Sequence, residues 1–303
     1  MLTSAVTPAE RRVRLRAALA GTDLLRFPGA FNPLSAKLIQ RKGFEGVYVS
    51  GAVLSADLGL PDIGLTTATE VAARTAAVVA QTDLPVVVDA DTGFGEPLNL
   101  ARTVQTLEHA GVAGLHVEDQ VNPKRCGHLE GKSVVDEATA VQRISAAVRA
   151  RHDPNLLVIA RTDIRGVEGF DAALRRSQAL VDAGADALFP EAMSDLDEFA
   201  RVVAAVDVPV LANMTEFGRS DLFTHEQLRD VGVRIVIHPV SLLRLAMGAA
   251  DRALDALAAQ GTLAGEVPRM QTRAELYDLL DYEAYGDFDA GVWTFSLEGN
   301  RPG

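Results

Sequence analysis

Short runs of β-branched and other apolar residues alternate along the chain with longer segments in which apolar residues recur every three or four positions. The short runs predict β-strands, and the longer segments predict amphipathic α-helices. Strands that alternate with helices form parallel sheets, and eight repeats favour closure over an open sheet. The pattern therefore predicts an α/β fold of the (β/α)8 barrel type, with strands at Leu24–Phe27, Gly46–Val49, Val86–Ala90, Gly114–Val117, Leu157–Ala160, Ala187–Phe189, Val208–Ala212 and Ile235–Ile237.

The helical segments complete this organisation. A helix is predicted before the first strand, at Pro8–Ala20, and Gly111 and Gly184 stand where a helix commonly needs a left-handed C-cap. We expect one domain over residues 1–303, with the barrel at about 24–260 and a helical segment at about 270–295. The clearest amphipathic stretches are Leu98–Ala110, Glu137–Arg151, Phe170–Ala183 and Leu242–Gln260.

Polar residues follow most of the predicted strands. In a (β/α)8 barrel the active site is built from the loops at the carboxyl ends of the strands, so these residues should meet at one face. Each of them alone has the simpler explanation that strand ends are wet, but their number favours a site. The candidates are Ser50 and Gly51 after strand two, Asp89 and Asp91 after strand three, Glu118 after strand four, Arg161 after strand five, Glu191 after strand six, and Asn213 and Thr215 after strand seven.

Two of these positions suggest a metal. Asp89 and Asp91 are two residues apart, which puts both carboxylates on the same side of the pleat, and Glu118 comes from the adjacent strand. Clustered carboxylates suit Mg²⁺, which keeps several waters and takes one or two direct carboxylates. The alternative is that Asp89 caps a loop and Glu118 pairs with an arginine.

The segment after the fourth strand, from Gln120 to about Asp136, is long for a connection in a barrel. It contains Cys126 between Lys124-Arg125 and Gly127-His128, and neighbouring positive charge favours the thiolate. Such a thiol can give and take a proton near neutral pH. The alternative is an inert buried cysteine, although the neighbours here are charged and glycine-flanked.

Arg161 and Arg244 are candidates to bind a carboxylate or enolate oxygen, which implies an anionic substrate. A structural salt bridge is the alternative for either arginine.

Composition and net charge narrow the class of protein. The formal net charge of −12 over 303 residues argues against a nucleic-acid partner, and no apolar run is long enough for a membrane span. The single cysteine cannot form an intramolecular disulfide, and the first residues lack the features of a secretory signal. We expect a cytoplasmic protein.

Several motifs in order resemble the isocitrate lyase and phosphoenolpyruvate mutase superfamily, and within it the 2-methylisocitrate lyases. The resemblance covers about residues 26–285. It rests on Val49-Ser50-Gly51, Val88-Asp89-Ala90-Asp91-Thr92-Gly93-Phe94-Gly95, Gly114-Leu115-His116-Val117-Glu118-Asp119-Gln120, Lys124-Arg125-Cys126-Gly127-His128, Ala160-Arg161-Thr162-Asp163, Asn213-Met214-Thr215-Glu216-Phe217-Gly218 and Met270-Gln271-Thr272-Arg273.

The resemblance implies a carbon–carbon lyase that cleaves 2-methylisocitrate to pyruvate and succinate in the methylcitrate cycle of propionate breakdown. It also implies a Mg²⁺ cofactor, with Mn²⁺ as a substitute, and a cytoplasmic homotetramer whose C-terminal helices are exchanged between subunits. A small tricarboxylate substrate is the expected partner, without nucleic acid or membrane.

Site residues are carried over position by position. The resemblance implies that Asp89 and Asp91 hold the metal, with Glu118 in its outer shell and Asp62 in the same polar cluster. Catalytic roles fall on Cys126 as general acid, and on His128, Lys124, Arg161 and, for deprotonation, Tyr48. Substrate contacts fall on Ser50, Gly51, Ala52, Gly127, Arg161, Glu191, Asn213, Thr215, Arg244 and Arg273.

Related activities stay open as alternatives. Leu129-Glu130-Gly131 departs from many methylisocitrate lyases, and Gly131-Lys132 is similar to isocitrate lyases, so isocitrate is the second candidate substrate. Oxaloacetate-cleaving enzymes and phosphonate mutases generally lack the Cys-Gly-His loop. A non-catalytic barrel would predict an eroded site, whereas the candidate residues are all present.

Overall fold

In the described residues, eight parallel strands form the centre of the molecule. Five of them hydrogen-bond in the order β2-β3-β4-β5-β6 and three in the order β1-β8-β7. Single parallel bridges join the two sheets at both seams, from Gly29 to Tyr48 and from Leu188 to Val210, so the sheet closes on itself. The strands are β1 Leu25–Pro28, β2 Val47–Val49, β3 Val86–Asp89, β4 Gly114–Glu118, β5 Leu157–Thr162, β6 Ala187–Pro190, β7 Leu211–Asn213 and β8 Ile235–His238.

The structure is a computed structural model that describes residues 3–125, 127, 131–218 and 220–293. Its helices lie between and around the strands. They are α1 Pro8–Ala20, α2 Pro33–Arg41, α3 Gly51–Asp57, α4 Ala68–Val79, α5 Pro97–His109, α6 Glu137–Ala150, α7 Arg165–Glu168, α8 Phe170–Asp182, α9 Leu196–Ala205, α10 His225–Asp230, α11 Ser241–Gln260, α12 Arg273–Leu279 and α13 Tyr282–Trp293.

The predicted barrel is confirmed, with small shifts at the strand ends. The seventh strand begins at Leu211 rather than at Val208, because Pro209 has no amide proton for the ladder. The fifth strand runs two residues further than predicted, so Arg161 lies inside it and pairs with Glu118 of β4. Gly111 and Gly184 have positive φ angles of 89° and 100°, as expected for helix C-caps.

Alternation along the strands separates two hydrophobic cores. In β3, Val86 and Val88 pack outward against the helices, whereas Val87 packs inside the barrel. Leu15 and Leu19 of α1 join the inner core and close the end of the barrel opposite the carboxyl ends of the strands. Asp89 is two residues after Val87, so the pleat directs its side chain into the barrel as well.

The last helices lie outside this barrel. Arg41 of α2 pairs with Asp278 of α12 at 2.8 Å, but large apolar side chains of α11 and α13 remain exposed, including Leu245 at 71% and Trp293 at 81%. No described helix combines the length and apolar character that a membrane crossing requires. The exposed large apolar residues of α11 and α13 are Leu245, Met247, Leu254, Leu257, Tyr282, Tyr285, Phe288, Val292 and Trp293.

Candidate active site

A cavity of about 260 Å³ opens at the carboxyl ends of the strands. We call it the mouth cavity. Most of the predicted site residues reach it, although they come from distant parts of the sequence. Its lining consists of Tyr48, Ser50, Ala52, Asp62, Asp89, Lys124, Arg125, Gly127, Arg161, Phe189, Glu191, Asn213, Thr215, Pro239, Val240 and Arg244.

The predicted metal carboxylates converge at the start of α3. A methyl group at Gly51 would lie 2.9 Å from Oδ2 of Asp89 and 3.1 Å from Oδ1 of Asp91, so both carboxylates face the space above Gly51. The Gly51 amide donates to Asp89 over 3.2 Å. Asp91 has a φ of 46°, which is unusual for a residue with a side chain and turns its carboxylate back toward Asp89.

Lys124 lies directly on this acidic pair. Its Nζ is 2.7 Å from Oδ1 of Asp91 and 2.5 Å from Oδ1 of Asp62, and the lysine is buried. Burial and the charge of Asp89 raise the pKa of Asp91 to about 6. Burial alone would also raise the pKa of Asp89, but Lys124, Arg161 and His116, which is protonated in the acid range where Asp89 titrates, hold it at about 2.

The described residues fit a divalent cation that keeps most of its water. No group of three His, Cys, Asp or Glu side chains in the described ranges is arranged as a protein ligand set. A hard cation such as Mg²⁺ needs only one or two direct carboxylates. Glu118 lies behind the pair, and its Oε1 is buried with no hydrogen-bond partner within the described part of the chain. That orphaned oxygen suits a water molecule of a hydrated cation.

Arg161 is surrounded by carboxylates. Its guanidinium lies 3.2 Å from Glu118, 3.0 Å from Asp163 and 3.5 Å from Glu191, and its Cζ is 5.1 Å from the centre of the Phe189 ring. Burial would lower the pKa of Arg161, but the charges of Asp163, Glu118 and Glu191 raise it well above its usual value. The guanidinium is therefore a fixed positive charge at the wall of the cavity.

At Gly127 the long loop contacts this arginine. A Cβ at Gly127 would lie 2.4 Å from Nη2 of Arg161, 2.6 Å from Cγ of Glu191 and 2.8 Å from Oδ1 of Asp163. Lys132, on the other side of the loop, donates to the Gly127 carbonyl and to Oδ1 of Asp163. Only a residue without a side chain fits this approach.

Tyr48 lies at the floor of the cavity in a buried stack with His116. The Tyr48 hydroxyl is 2.7 Å from Nε2 of His116, and the His116 ring meets Phe189 edge to face. Burial lowers the pKa of His116 to about 4 and raises the pKa of Tyr48 well above 10. Near neutral pH both side chains are uncharged, which favours Tyr48 as a hydrogen-bonding group over a phenolate base.

The opposite wall carries amide, hydroxyl and cationic groups. Asn213 Nδ2 is 3.4 Å from the Glu191 carboxylate, and Nη1 of Arg244 donates to Thr215 over 3.2 Å. Ser50 is the N-cap of α3 but makes no capping hydrogen bond with its hydroxyl. These groups can bind carboxylate or hydroxyl oxygens of a ligand in the cavity.

Six predicted residues are not among those that line the cavity. Gly51 and Asp91 contact Asp89, which does line it, and Glu118 contacts Arg161. Cys126 and His128 lie outside the described residues. Arg273 is exposed in the first turn of α12 and does not line the mouth cavity of its own chain. The location of Arg273 depends on how α12 packs outside the barrel. The local sequence pattern carries no information about that packing.

Four further residues belong to the site, although the pattern of strand ends did not select them. His116 is a single imidazole in the apolar strand β4, and that interruption was the available signal. Lys132 and Asp163 anchor Gly127 and Arg161. Asp119 accepts hydrogen bonds from Thr162 and from the Asp163 amide, at 2.6 and 2.9 Å, and so fixes the end of β5.

Comparisons with known proteins agree with this geometry. The family described as phosphoenolpyruvate phosphomutase matches residues 15–258. A probable 2-methylisocitrate lyase from Corynebacterium glutamicum is 56% identical over 302 residues, which cover 100% of this chain and 98% of the relative. The 2-methylisocitrate lyase of Salmonella typhimurium is 46% identical over 269 residues, with 88% of this chain and 91% of the relative covered.

Solved structures have the same fold. An oxaloacetate acetylhydrolase in complex with 3,3-difluorooxalacetate superposes with a TM-score of 0.89 at 32% identity, with 96% of this chain and 100% of that chain covered. A phosphonopyruvate hydrolase in complex with oxalate and Mg²⁺ has a TM-score of 0.84 at 28% identity, with 92% and 98% covered. The names of both proteins describe hydrolases of small oxo acids.

Proposed function

The chain belongs to the phosphoenolpyruvate phosphomutase family, and on that premise we propose that it is a carbon–carbon lyase that cleaves 2-methylisocitrate to pyruvate and succinate. The observation that carries the proposal is the mouth cavity itself. One wall holds Asp89, with Asp91 beside it, and the other holds the cation Arg244. With a divalent cation on the two aspartates, such a cavity suits a substrate with carboxylates at both ends.

A divalent cation, Mg²⁺ with Mn²⁺ as a substitute, is part of the proposal. Asp89 and Asp91 would hold it, Glu118 would bind its water, and Asp62 would belong to the same cluster through Lys124. When bound, the cation would supply positive charge next to the oxygens of the pyruvate half. The choice of Mg²⁺ is supported by the related phosphonopyruvate hydrolase, whose solved structure is a complex with oxalate and Mg²⁺.

Residues of the chain itself would bind the pyruvate half of the substrate and stabilise its charge. The Ser50 hydroxyl and the amides of Gly51 and Ala52 would bind the pyruvate half. The hydroxyl group of the substrate would lose its proton through the Tyr48 hydroxyl to Nε2 of His116, which is 2.7 Å away. Arg161 would stabilise the resulting oxyanion, which becomes the pyruvate carbonyl as the carbon–carbon bond breaks. Lys124 would balance the charge of the carboxylates below it.

The other half of the substrate becomes a succinate carbanion, which needs a proton. Cys126 would donate that proton as general acid, with His128 beside it in the sequence. Gly127 would let this part of the loop approach Arg161. Asn213, Thr215 and Arg244 would bind the succinate carboxylates, and Glu191 would belong to the same end of the site, where it holds Asn213 and Arg161. A closed loop would exclude water, which would otherwise compete as a proton source.

Assembly is the second part of the proposal. A homotetramer with exchanged C-terminal helices would cover the exposed apolar side chains of α11 and α13. Arg273 would then serve the site of a neighbouring subunit, because the cavity of its own chain is lined without it. We also propose a cytoplasmic location, which the family resemblance implies.

The direct test supplies 2-methylisocitrate, isocitrate and oxaloacetate separately with Mg²⁺ and measures pyruvate, glyoxylate and succinate. We expect pyruvate and succinate from 2-methylisocitrate, loss of activity with EDTA, and recovery with Mg²⁺ or Mn²⁺. Equal or faster turnover of isocitrate would reject the substrate assignment. A Cys126→Ser protein with near wild-type turnover would reject the proton donor.

A further inference from the structure

Within the described part of the chain, Arg244 is held on one side only. Its Nη1 donates to the Glu216 carbonyl over 2.7 Å and to Thr215 Oγ1 over 3.2 Å, and it lies 3.1 Å from Oε2 of Glu216. No hydrogen bond or ion pair from the described residues engages its Nε or Nη2. Because Arg244 lines the mouth cavity, the unoccupied edge of the guanidinium is available to a ligand there.

Glu216 is itself fixed from the other side. The Ser241 hydroxyl donates to its Oε1, while Arg244 binds its Oε2, so one carboxylate bridges two residues of α11. Ser241 and Arg244 are three positions apart and therefore lie on one face of that helix. Burial would raise the pKa of Glu216, but the hydrogen bonds from Ser241 and Arg244 lower it, so the side chain is an anion at neutral pH.

The chain turns sharply directly after Glu216. Phe217 has a φ of 60°, which is unfavourable for a residue with a side chain, and its ring is 94% exposed. The ring stays near the guanidinium, with 5.4 Å between its centre and Cζ of Arg244. A residue keeps such an unfavourable backbone conformation only where neighbouring contacts fix it. Here the contacts of Glu216 with Ser241 and Arg244 fix it.

We propose that Glu216 and Ser241 are positioning residues, which hold the Nη1 side of Arg244 so that its Nε and Nη2 face the distal carboxylate of the substrate. An arginine binds a carboxylate best through two parallel hydrogen bonds, and that geometry requires a fixed guanidinium plane. The inference rests on the proposed function, because it assigns the distal carboxylate to the succinate half.

The test compares Glu216→Gln with Glu226→Gln. Both variants lose one negative charge, but Glu226 is an exposed residue of α10 outside the site. For Glu216→Gln we expect the KM for 2-methylisocitrate and the Kd for succinate to rise roughly tenfold, as for loss of a charge-assisted hydrogen bond. We expect kcat to change less than about twofold, because only binding is lost. The inhibition of Glu216→Gln by pyruvate should equal that of the wild type. Glu226→Gln should have the wild-type KM, kcat and succinate Kd.

The outcomes separate the two proposals. If Glu216→Gln keeps the wild-type KM and succinate Kd, or if its KM falls, the positioning role is rejected. A lower kcat with unchanged succinate binding would reject it too. Ser241→Ala provides a second variant, for which a smaller shift in the same direction is expected. If the wild type does not cleave 2-methylisocitrate, the proposed function fails, and succinate calorimetry with the variants still tests the role of Glu216.

Discussion

The Nζ of Lys124 lies 2.7 Å from Oδ1 of Asp91, so a loop residue supplies the positive charge beside the proposed metal carboxylates. Burial would lower the pKa of Lys124, but the charges of Asp91 and Asp89 raise it above its usual value. The lysine is therefore charged wherever the pair is ionised. A bound cation and Lys124 would compete for the same carboxylate oxygens.

That competition can be measured with Lys124→Met. Breaking a buried ion pair typically costs about 3–5 kcal/mol, so we expect a loss of that order in the free energy of unfolding without divalent cations. Saturating Mg²⁺ should then stabilise the variant more than it stabilises the wild type, because no ammonium competes. Urea unfolding with and without Mg²⁺ gives both values. Lys42→Met, at an exposed position, is the control. The prediction is contradicted if Mg²⁺ raises the free energy of unfolding by the same amount in the wild type and in Lys124→Met.

Gly127→Ala tests the close approach of the loop to Arg161. The added methyl group would lie 2.4 Å from Nη2 of Arg161, so the loop or the guanidinium must move. A displacement of about 1 Å at a site can cost about 100-fold in rate, and we expect a loss of that order in kcat/KM.

Gly265→Ala is the matched control for this substitution. A Cβ at Gly265 would meet no atom within 4 Å, and the residue is exposed in the turn after α11. We expect wild-type activity for it. Steady-state kinetics on both proteins would be combined with circular dichroism to verify the fold. The packing argument is contradicted if Gly127→Ala is as active as Gly265→Ala.

The sequence pattern predicted the parts of the site that alternation along strands controls. Val87 and Asp89 share one face of β3, so the pattern that buries the valine also directs the carboxylate into the barrel. The strand ends then brought Asp89, Arg161 and Glu191 together, because parallel strands end at one face of a barrel.

The pattern of apolar and polar positions could not predict contacts between residues that are far apart in the sequence. Lys132 is an ordinary loop lysine in sequence, and its burial follows only from its contacts with Asp163 and Gly127. His116 is polar in an apolar strand, and its partner Tyr48 is 68 residues away. The exposed position of Arg273 depends on where α12 packs, which no periodicity encodes.

Phe189, two residues before Glu191, is a candidate for the wall that contacts the extra methyl group of 2-methylisocitrate, and Phe189→Leu tests this role. The ring lines the mouth cavity and packs against Arg161. One methyl group in an apolar pocket is worth about 1–3 kcal/mol, so we expect a change of roughly tenfold or more in the ratio of kcat/KM for 2-methylisocitrate to that for isocitrate. Competition between the two substrates measures this ratio. An unchanged ratio in an active variant would assign the methyl group to another wall.

The pair formed by His225 and His238 predicts a pH dependence of stability. Their Nε2 atoms are 3.0 Å apart, which requires one ring to be a neutral acceptor. Burial and then the charge of Arg26 lower the pKa of His225, and burial and then His225 lower the pKa of His238. Both folded values lie below the value of about 6.5 expected in the unfolded chain. The unfolded chain therefore binds more protons below that pH.

The sign follows from this difference in protonation. The stabilising effect of the neutral pair is fully present above about pH 6.5 and decreases as the pH falls toward the folded pKa values. We expect the free energy of unfolding of the wild type, relative to that of His225→Gln, to decrease from pH 7.5 to 5.5, because the variant has no second imidazole that repels a protonated His238. Urea unfolding across this range measures both slopes. Since all other titrating groups are common to the two proteins, equal slopes would mean that the pair does not contribute.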